Sequence, residues 1–279
     1  MLRRKGDNAM RNGTVIVPVA LAVSAFLFST QAGAEDIGCQ FQRRTSLPAL
    51  LTETYTAPTE GWVMSQKRYE AAETVSLPVP SGQISGADLV AVINKRRSIR
   101  EYTARPISLQ ELSDLLFLGS GVTDKKPYIS LRSAPSAGAS YPIEIYVVAN
   151  AVAGLEKGFY HYVPEEHLLE VIRKGDFAVQ LKELCLGQAF VKDASAIILM
   201  SGVFPRVCAR YGNRGYRYVY MEAGHIAQNL YLGATALDLG SCVIGAFLDD
   251  EMNLFCGLDG EEESIIYIHC IGTARELKG

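Results

Sequence analysis

Arg96-Arg97-Ser98-Ile99-Arg100-Glu101-Tyr102, followed some thirty residues on by Ala134-Pro135-Ser136-Ala137-Gly138-Ala139-Ser140-Tyr141-Pro142, decides the reading of this chain. Three arginines and a hydroxyl within five residues set several fixed donors around one spot. A run of small residues elsewhere lets backbone lie close against a flat ligand. Together they suit a phosphorylated cofactor. Each half also has a plainer explanation. Asp88 to Arg97 reads as an amphipathic helix, with Leu89, Val92, Ile93 and Arg96 at helical spacing, whose terminal cations would simply offset its dipole. The small-residue run would then be a tight turn entering a strand from Ile143.

Working outward, helices and strands alternate from Ser81-Gly82 onward. Ser108-Leu109-Gln110-Glu111 is a capping box opening a helix that ends near Gly119. Ile143 to Ala149 and Gly158 to Pro164 read as strands, and Asp176 to Leu186 as a helix. Ala196 to Val203 is a near-continuous apolar run, the pattern of a strand covered on both faces. Arg214 to Asp238 reads as a long helix with Ala223, Ala227, Leu230 and Ala234 along one mostly small face. Asp249 would cap a shorter helix, and Ile265 to Ile271 forms a last buried strand. A sheet covered by helices on both faces follows. Residues 35–84 carry Pro48, Pro58, Pro78 and Pro80 and read as an extended arm or linker with one short helix.

The N-terminus has the form of an export signal. Arg3, Arg4, Lys5 and Arg11 precede the apolar run Val15 to Phe28, and Gln31-Ala32-Gly33-Ala34 offers small residues for cleavage after Ala34. The expected destination is the periplasm, with no membrane span in the mature protein, since the run is short for a bilayer; an uncleaved anchor is the alternative. Net charge is −3, and setting residues 1–34 aside leaves 23 basic against 29 acidic residues. The basic cluster is therefore local, which argues against nucleic acid as a partner. Six scattered cysteines contain no Cys-x-x-Cys pair and read mostly as unpaired core thiols; with four scattered histidines they form no metal-ligand pattern.

RRSIREY, PISLQELSDLLFLGSGVT, SAPSAGASYPIEIYVV, GFYHYVPEEHLLE, the block from Arg210 to Glu251 and IIYIHCIGTA together resemble the SagB-type dehydrogenases, a branch of the FMN-dependent nitroreductase superfamily. The resemblance runs from about Ser85 to Arg275 and rests on order and spacing across many blocks. It implies an α+β, nitroreductase-like fold over residues 85–279, with a central mixed sheet flanked by helices, forming a homodimer. FMN would lie in the dimer interface, where the helix from Arg214 to Asp238 would pack.

On matching positions, Arg96 and Ser98 would hold the phosphate and ribityl chain and Arg100 the pyrimidine edge of the flavin, with Arg97 between them. Pro135, Ser136, Ala137 and Gly138 match a loop that approaches the flavin from another side. Gly245 and Ala246 match a segment whose backbone reaches flavin N5, and Arg275 a basic position that helps with the phosphate. Members that oxidise thiazoline and oxazoline rings in peptides carry a Lys-Tyr pair, whose counterpart here is Arg210-Tyr211. Arginine does not give up its proton at ordinary pH, which counts against a general-base role there and leaves Tyr211 able to donate or accept a hydrogen bond. In the plainer reading Tyr211, Tyr216 and Tyr218 are interface aromatics, and His225 is a buried structural histidine.

The function so implied is an FMN-dependent oxidoreductase of the SagB type, passing hydride through flavin N5 to or from a small-molecule or peptide substrate. Two alternatives stand: an NAD(P)H-dependent nitro- or quinone-reductase, and an inactive flavin-fold scaffold in a peptide-modifying assembly. No Rossmann-type glycine fingerprint is present, so NAD(P)H would bind as a transient donor.

Overall fold

The computed structural model of the protein describes residues 37–46 and 66–275. The expected export signal lies outside them. In chain order the described residues begin with α1 (Ile37–Arg44), β1 (Thr74–Ser76), α2 (Leu89–Lys95), β2 (Ile107–Ser108) and α3 (Leu109–Ser120). Next come β3 (Val122–Lys126), β4 (Ile129–Arg132), β5 (Ile143–Ala149), β6 (Val152–Ala153), β7 (Gly158–Val163) and β8 (Leu168–Lys174). The chain continues through α4 (Ala178–Leu184), α5 (Ala189–Asp193), β9 (Ala196–Val203) and α6 (Phe204–Tyr211). It closes with α7 (Gly215–Ala236), β10 (Leu239–Ile244), α8 (Asp249–Cys256) and β11 (Glu263–Thr273).

Seven strands form one sheet in the order β1-β8-β7-β5-β9-β11-β10. Every pairing in that sheet is antiparallel, and the parallel contribution to the expected mixed architecture is the separate pair β2–β6. Alternation along the central strands explains the layers. Ala196, Ile198 and Met200 of β9 join a core with Leu112 and Leu115 of α3 and Ile226 and Leu230 of α7. Ile197 and Leu199 point the other way, into a core with Leu181 of α4, Val191 of α5 and Phe255 of α8. Both faces are covered, so β9 is buried at nearly every position, as its apolar run requires.

Local signals place most ends. The Ser108–Glu111 capping box is present in full, so α3 starts where its sequence says. Asp88 caps α2 by accepting from the amides of Val90 and Ala91. Asp249 differs from expectation: it is the first residue of α8, and Leu248 holds the cap position without a side-chain bond. The face Ala223, Ala227, Leu230 and Ala234 packs against the chain's own core. The opposite face of α7, with Tyr220, Met221, Gly224 and His225, is exposed, so His225 is not a buried histidine.

Part of the arm is tied to the domain. Strand β1 pairs with β8, and Ser81 donates through its amide and hydroxyl to Asp114, at 2.7 and 2.6 Å. Lys67 forms an ion pair with Glu263, and Arg68 one with Glu170. Glu170 in turn meets the buried His161, which also contacts Glu144. Against the upward push of burial, the hydrogen bond with His161 and the charge of Arg206 hold Glu144 down to about 2. All six cysteines are free thiols.

Candidate functional site

At Arg96 the backbone leaves helical geometry, ending α2, and the chain then runs along the edge strand β10. The Ile99 amide donates to Ser241 O at 2.8 Å, and Tyr102 bridges to Ala274. Docking this close needs a residue without a side chain: a Cβ on Gly240 would stand 2.8 Å from Ile99 Cγ2. The segment is thus an extended strip on the sheet edge and not a helix end pointing into water.

Ser98 Oγ lies 3.0 Å from Tyr231 Oη, and that same phenol oxygen accepts from the Val243 amide at 2.9 Å. Either hydroxyl can donate in the Ser98–Tyr231 pair, and both also lie within hydrogen-bond reach of the Cys242 thiol. The Arg96 guanidinium sits 5.2 Å from the centroid of the Tyr231 ring, and that of Arg100 5.9 Å from Phe190. Arg97 turns back, donating to the carbonyls of Asn94 and Arg96 at 3.0 and 2.7 Å. None of the three has a carboxylate partner among the described residues. Gly245 and Ala246, two and three residues beyond Val243, are exposed, and a Cβ on Gly245 would meet nothing nearer than the Tyr267 ring at 3.9 Å. Arg275 donates its amide to Glu101 O at 3.0 Å, and its side chain lines a cleft of about 470 Å³ together with Lys157 and Lys192.

A second set forms around the small-residue loop. Gly138, Ala139 and Tyr141 all have positive φ, and the turn is held by the Tyr141 amide donating to Ser136 Oγ at 2.9 Å. A Cβ on Gly138 would come within 2.6 Å of Tyr211 Oη and 2.8 Å of Arg210 Nη1, so the loop lies directly on that pair. Tyr211 packs edge-on to Tyr218, and Tyr216 stacks on Phe204, so these aromatics pack within the chain itself. Beneath the loop is the buried Glu222. Desolvation pushes its carboxyl up to about 7, opposed by hydrogen bonds from Ser136 and the Ile143 amide and by the charges of Arg132 and Arg206.

The fold therefore links Ser98 through Tyr231 to Val243, with Arg96 over the same ring, and seats Gly138 against Arg210 and Tyr211, which gives two sets. Tyr231 and Glu222, which anchor them, are nine residues apart on α7, roughly 13 Å at the helical rise. Tyr231, Glu222 and the buried His269, whose ring lies 4.6 Å from that of Tyr231, escaped the sequence reading. Burial pulls the His269 imidazole down to about 3. A signal was available for the first two: each interrupts the otherwise apolar or small buried stripe of α7.

The nitroreductase family profile matches residues 93–273. The chain belongs to the nitroreductase family. Among its relatives, the nitroreductase-type protein MJ1384 of Methanocaldococcus jannaschii is 42% identical over 180 residues, which cover 64% of this chain and 88% of that one. The microcin B17-processing protein McbC of Escherichia coli is 27% identical over 155 residues, covering 53% and 56%. A nitroreductase-type crystal structure from Anabaena variabilis superimposes with a TM-score of 0.69 at 32% identity, covering 85% of this chain and 47% of the other. The chain thus spans about half the length of McbC and of the Anabaena protein. The expected α+β nitroreductase fold is the one found, and a processing protein among the relatives is consistent with the SagB-type branch.

Proposed function

We propose that this nitroreductase-family chain is an FMN-dependent oxidoreductase of the SagB type, whose cofactor site is assembled by two copies of the chain. The observation that carries the reading is the Ser98–Tyr231–Val243 link, with Arg96 over the same ring and without a carboxylate partner among the described residues, two residues before the open backbone at Gly245 and Ala246. Guanidinium groups without carboxylate partners among the described residues, together with the Ser98 hydroxyl, fit a phosphorylated ligand. Arg96 and Ser98 would hold the phosphate and ribityl end, and Arg100 would stabilise negative charge at the pyrimidine edge. FMN, when bound, supplies two-electron hydride chemistry. Gly245 and Ala246 leave room for backbone approach to the ring, and Tyr211 is placed to donate or accept a hydrogen bond at the small-residue loop.

Sharing between copies is our reading of the separation of the two sets along α7. It is supported by apolar surface on α2, where Leu89, Val90 and Ile93 are 60, 66 and 50% exposed, and by the exposed Tyr220 and Met221 of α7. The microcin-processing role of McbC supports a modified peptide as the substrate class. Export to the periplasm is part of the proposal, and N-terminal sequencing of the mature protein tests it. The central experiment is an absorbance spectrum of full-length protein before and after FMN reconstitution, with Arg96→Gln and Arg100→Gln. Bound flavin that is lost in the double variant is expected. Colourless protein that takes up no FMN overturns the reading.

A further inference from the structure

A cavity of about 290 Å³ lies between the tip of the β3–β4 hairpin and the core, lined among others by Gln66, Tyr128, Arg132, Tyr141, Glu165 and Arg206. No residue assigned above to the cofactor lines it. Its charge distribution is unusual. Arg206 is committed, with Nη1 2.6 Å from Glu144 Oε1 and 3.2 Å from Tyr141 O. Arg132 is not: its guanidinium lies 4.6 Å from the Tyr141 ring centroid and forms no ion pair among the described residues, and its side-chain hydrogen bond to Ser120 Oγ is long at 3.5 Å. Burial lowers the Arg132 pKa below the usual arginine value. The charges of Glu144, Glu222 and Glu165 offset part of that burial without a direct ion pair, and a carboxylate arriving from outside can supply the hydrogen-bonded partner they do not.

The hydrogen-bond inventory narrows the ligand. Four lining side chains carry a buried polar atom with no partner among the described residues: Gln66 Nε2, Arg132 Nε, Arg206 Nε and Glu165 Oε1. The other oxygen of Glu165 is occupied by the Ser130 hydroxyl at 2.9 Å. Three are donors and one is an acceptor. A phosphomonoester dianion offers only acceptors and would face the Glu165 carboxylate with lone pairs, whereas a carboxylate with a neighbouring amide N–H satisfies both kinds. The volume, at the lower edge of the ~300–1,000 Å³ of small-ligand pockets, suits one terminal residue rather than a folded partner. Tyr128 at the hairpin tip, 97% exposed, offers a face for that residue's side chain.

We infer that this cavity binds the free C-terminus of a peptide, its carboxylate taken by Arg132 beside Arg206 and its last amide N–H by Glu165. The site is distinct from the proposed flavin pocket, yet it is joined to the loop there, because Tyr141 also donates its amide to Ser136.

The test is calorimetric titration of full-length protein with acetyl-Ala-Ala-Phe carrying a free carboxylate, with the same peptide as its C-terminal amide, and with inorganic phosphate at matched ionic strength. Saturable binding of the acid is expected, with the amide and phosphate at least tenfold weaker. Arg132→Met should lose at least tenfold in acid affinity, with its thermal unfolding followed alongside because it also removes a charge beside Glu144 and Glu222, and Arg132→Lys, which keeps that charge, should fall between. Equal affinity for acid and amide, no binding of either, phosphate binding as tight as the acid, or an unchanged Arg132→Met overturns the inference. The acid and amide arms use unmodified protein and read no flavin signal, so they decide independently of variant folding and of FMN binding.

Discussion

Replacing Glu222 by glutamine should make the protein more stable at alkaline pH and leave it nearly unchanged at acid pH. In the folded chain the buried carboxyl titrates at about 7, against an ordinary value of 4.5. A raised carboxyl pKa means that the folded state holds the proton more tightly than the unfolded state. Below pH 4.5 both states are protonated and nothing is lost; as pH rises from 4.5 to 7 the unfolded state ionises first, and stability declines. The full loss above pH 7 is about 3 kcal/mol, of which about 1 kcal/mol is in place at pH 5. Glutamine mimics the protonated acid: its carbonyl can accept from the Ser136 hydroxyl and the Ile143 amide, and nothing there ionises. Glu222 Oε2 has no hydrogen-bond partner among the described residues, so the amide nitrogen displaces no existing bond. Urea denaturation of both proteins at pH 5, 6, 7 and 8 supplies the comparison. The difference between the two must be read, not the parent alone, because the depressed His269 works in the opposite sense, destabilising the fold as pH falls below 6.5. An advantage for the glutamine variant that grows by about 2 kcal/mol between pH 5 and pH 8 is expected. Parallel curves would refute the argument that burial keeps this carboxyl protonated.

Three further outcomes follow from the same geometry. Tyr231→Phe removes the acceptor of the Val243 amide and the partner of Ser98; a loss of about 1–3 kcal/mol in FMN binding, read by fluorescence titration, is expected with the fold intact. Gly240→Ala forces a methyl against Ile99 and should cost about 1–3 kcal/mol in thermal unfolding while releasing bound FMN. Met221→Arg, on the exposed face of α7, should leave the unfolding of the single chain unchanged but convert a dimer to a monomer in sedimentation and lower FMN occupancy.

What could be read in advance were features whose cause is local. The Ser108–Glu111 box closes on itself within four residues, and β9 is apolar along its length because each face meets a different helix layer. What stayed hidden depends on partners distant in sequence. Strand β1 has three residues and exists because β8 offers an edge. The β3–β4 hairpin is largely exposed and charged, so hydrophobic alternation does not announce it. Periodicity correctly gives α2 an apolar face, but α2 has no buried residue, since periodicity says that a face is apolar and not what covers it.

The candidate site shows the same division. Arg96, Ser98, Gly138 and Gly245 stand out because each carries its chemistry in its own type and neighbours. Tyr231 does not, since its importance arises only where a helix residue comes between Ser98, 133 positions earlier in the sequence, and Val243. Glu222 is its counterpart under the small-residue loop. One helix thus anchors both sets, with Glu222 and Tyr231 roughly 13 Å apart along its axis, so that on the proposed reading no bending of the loops inside one chain is needed to explain why the two motifs lie separated. If each motif set is complete only against the other set of a second copy, the fixed distance along α7 becomes a requirement for pairing, and cofactor retention should fall wherever association of the chains falls.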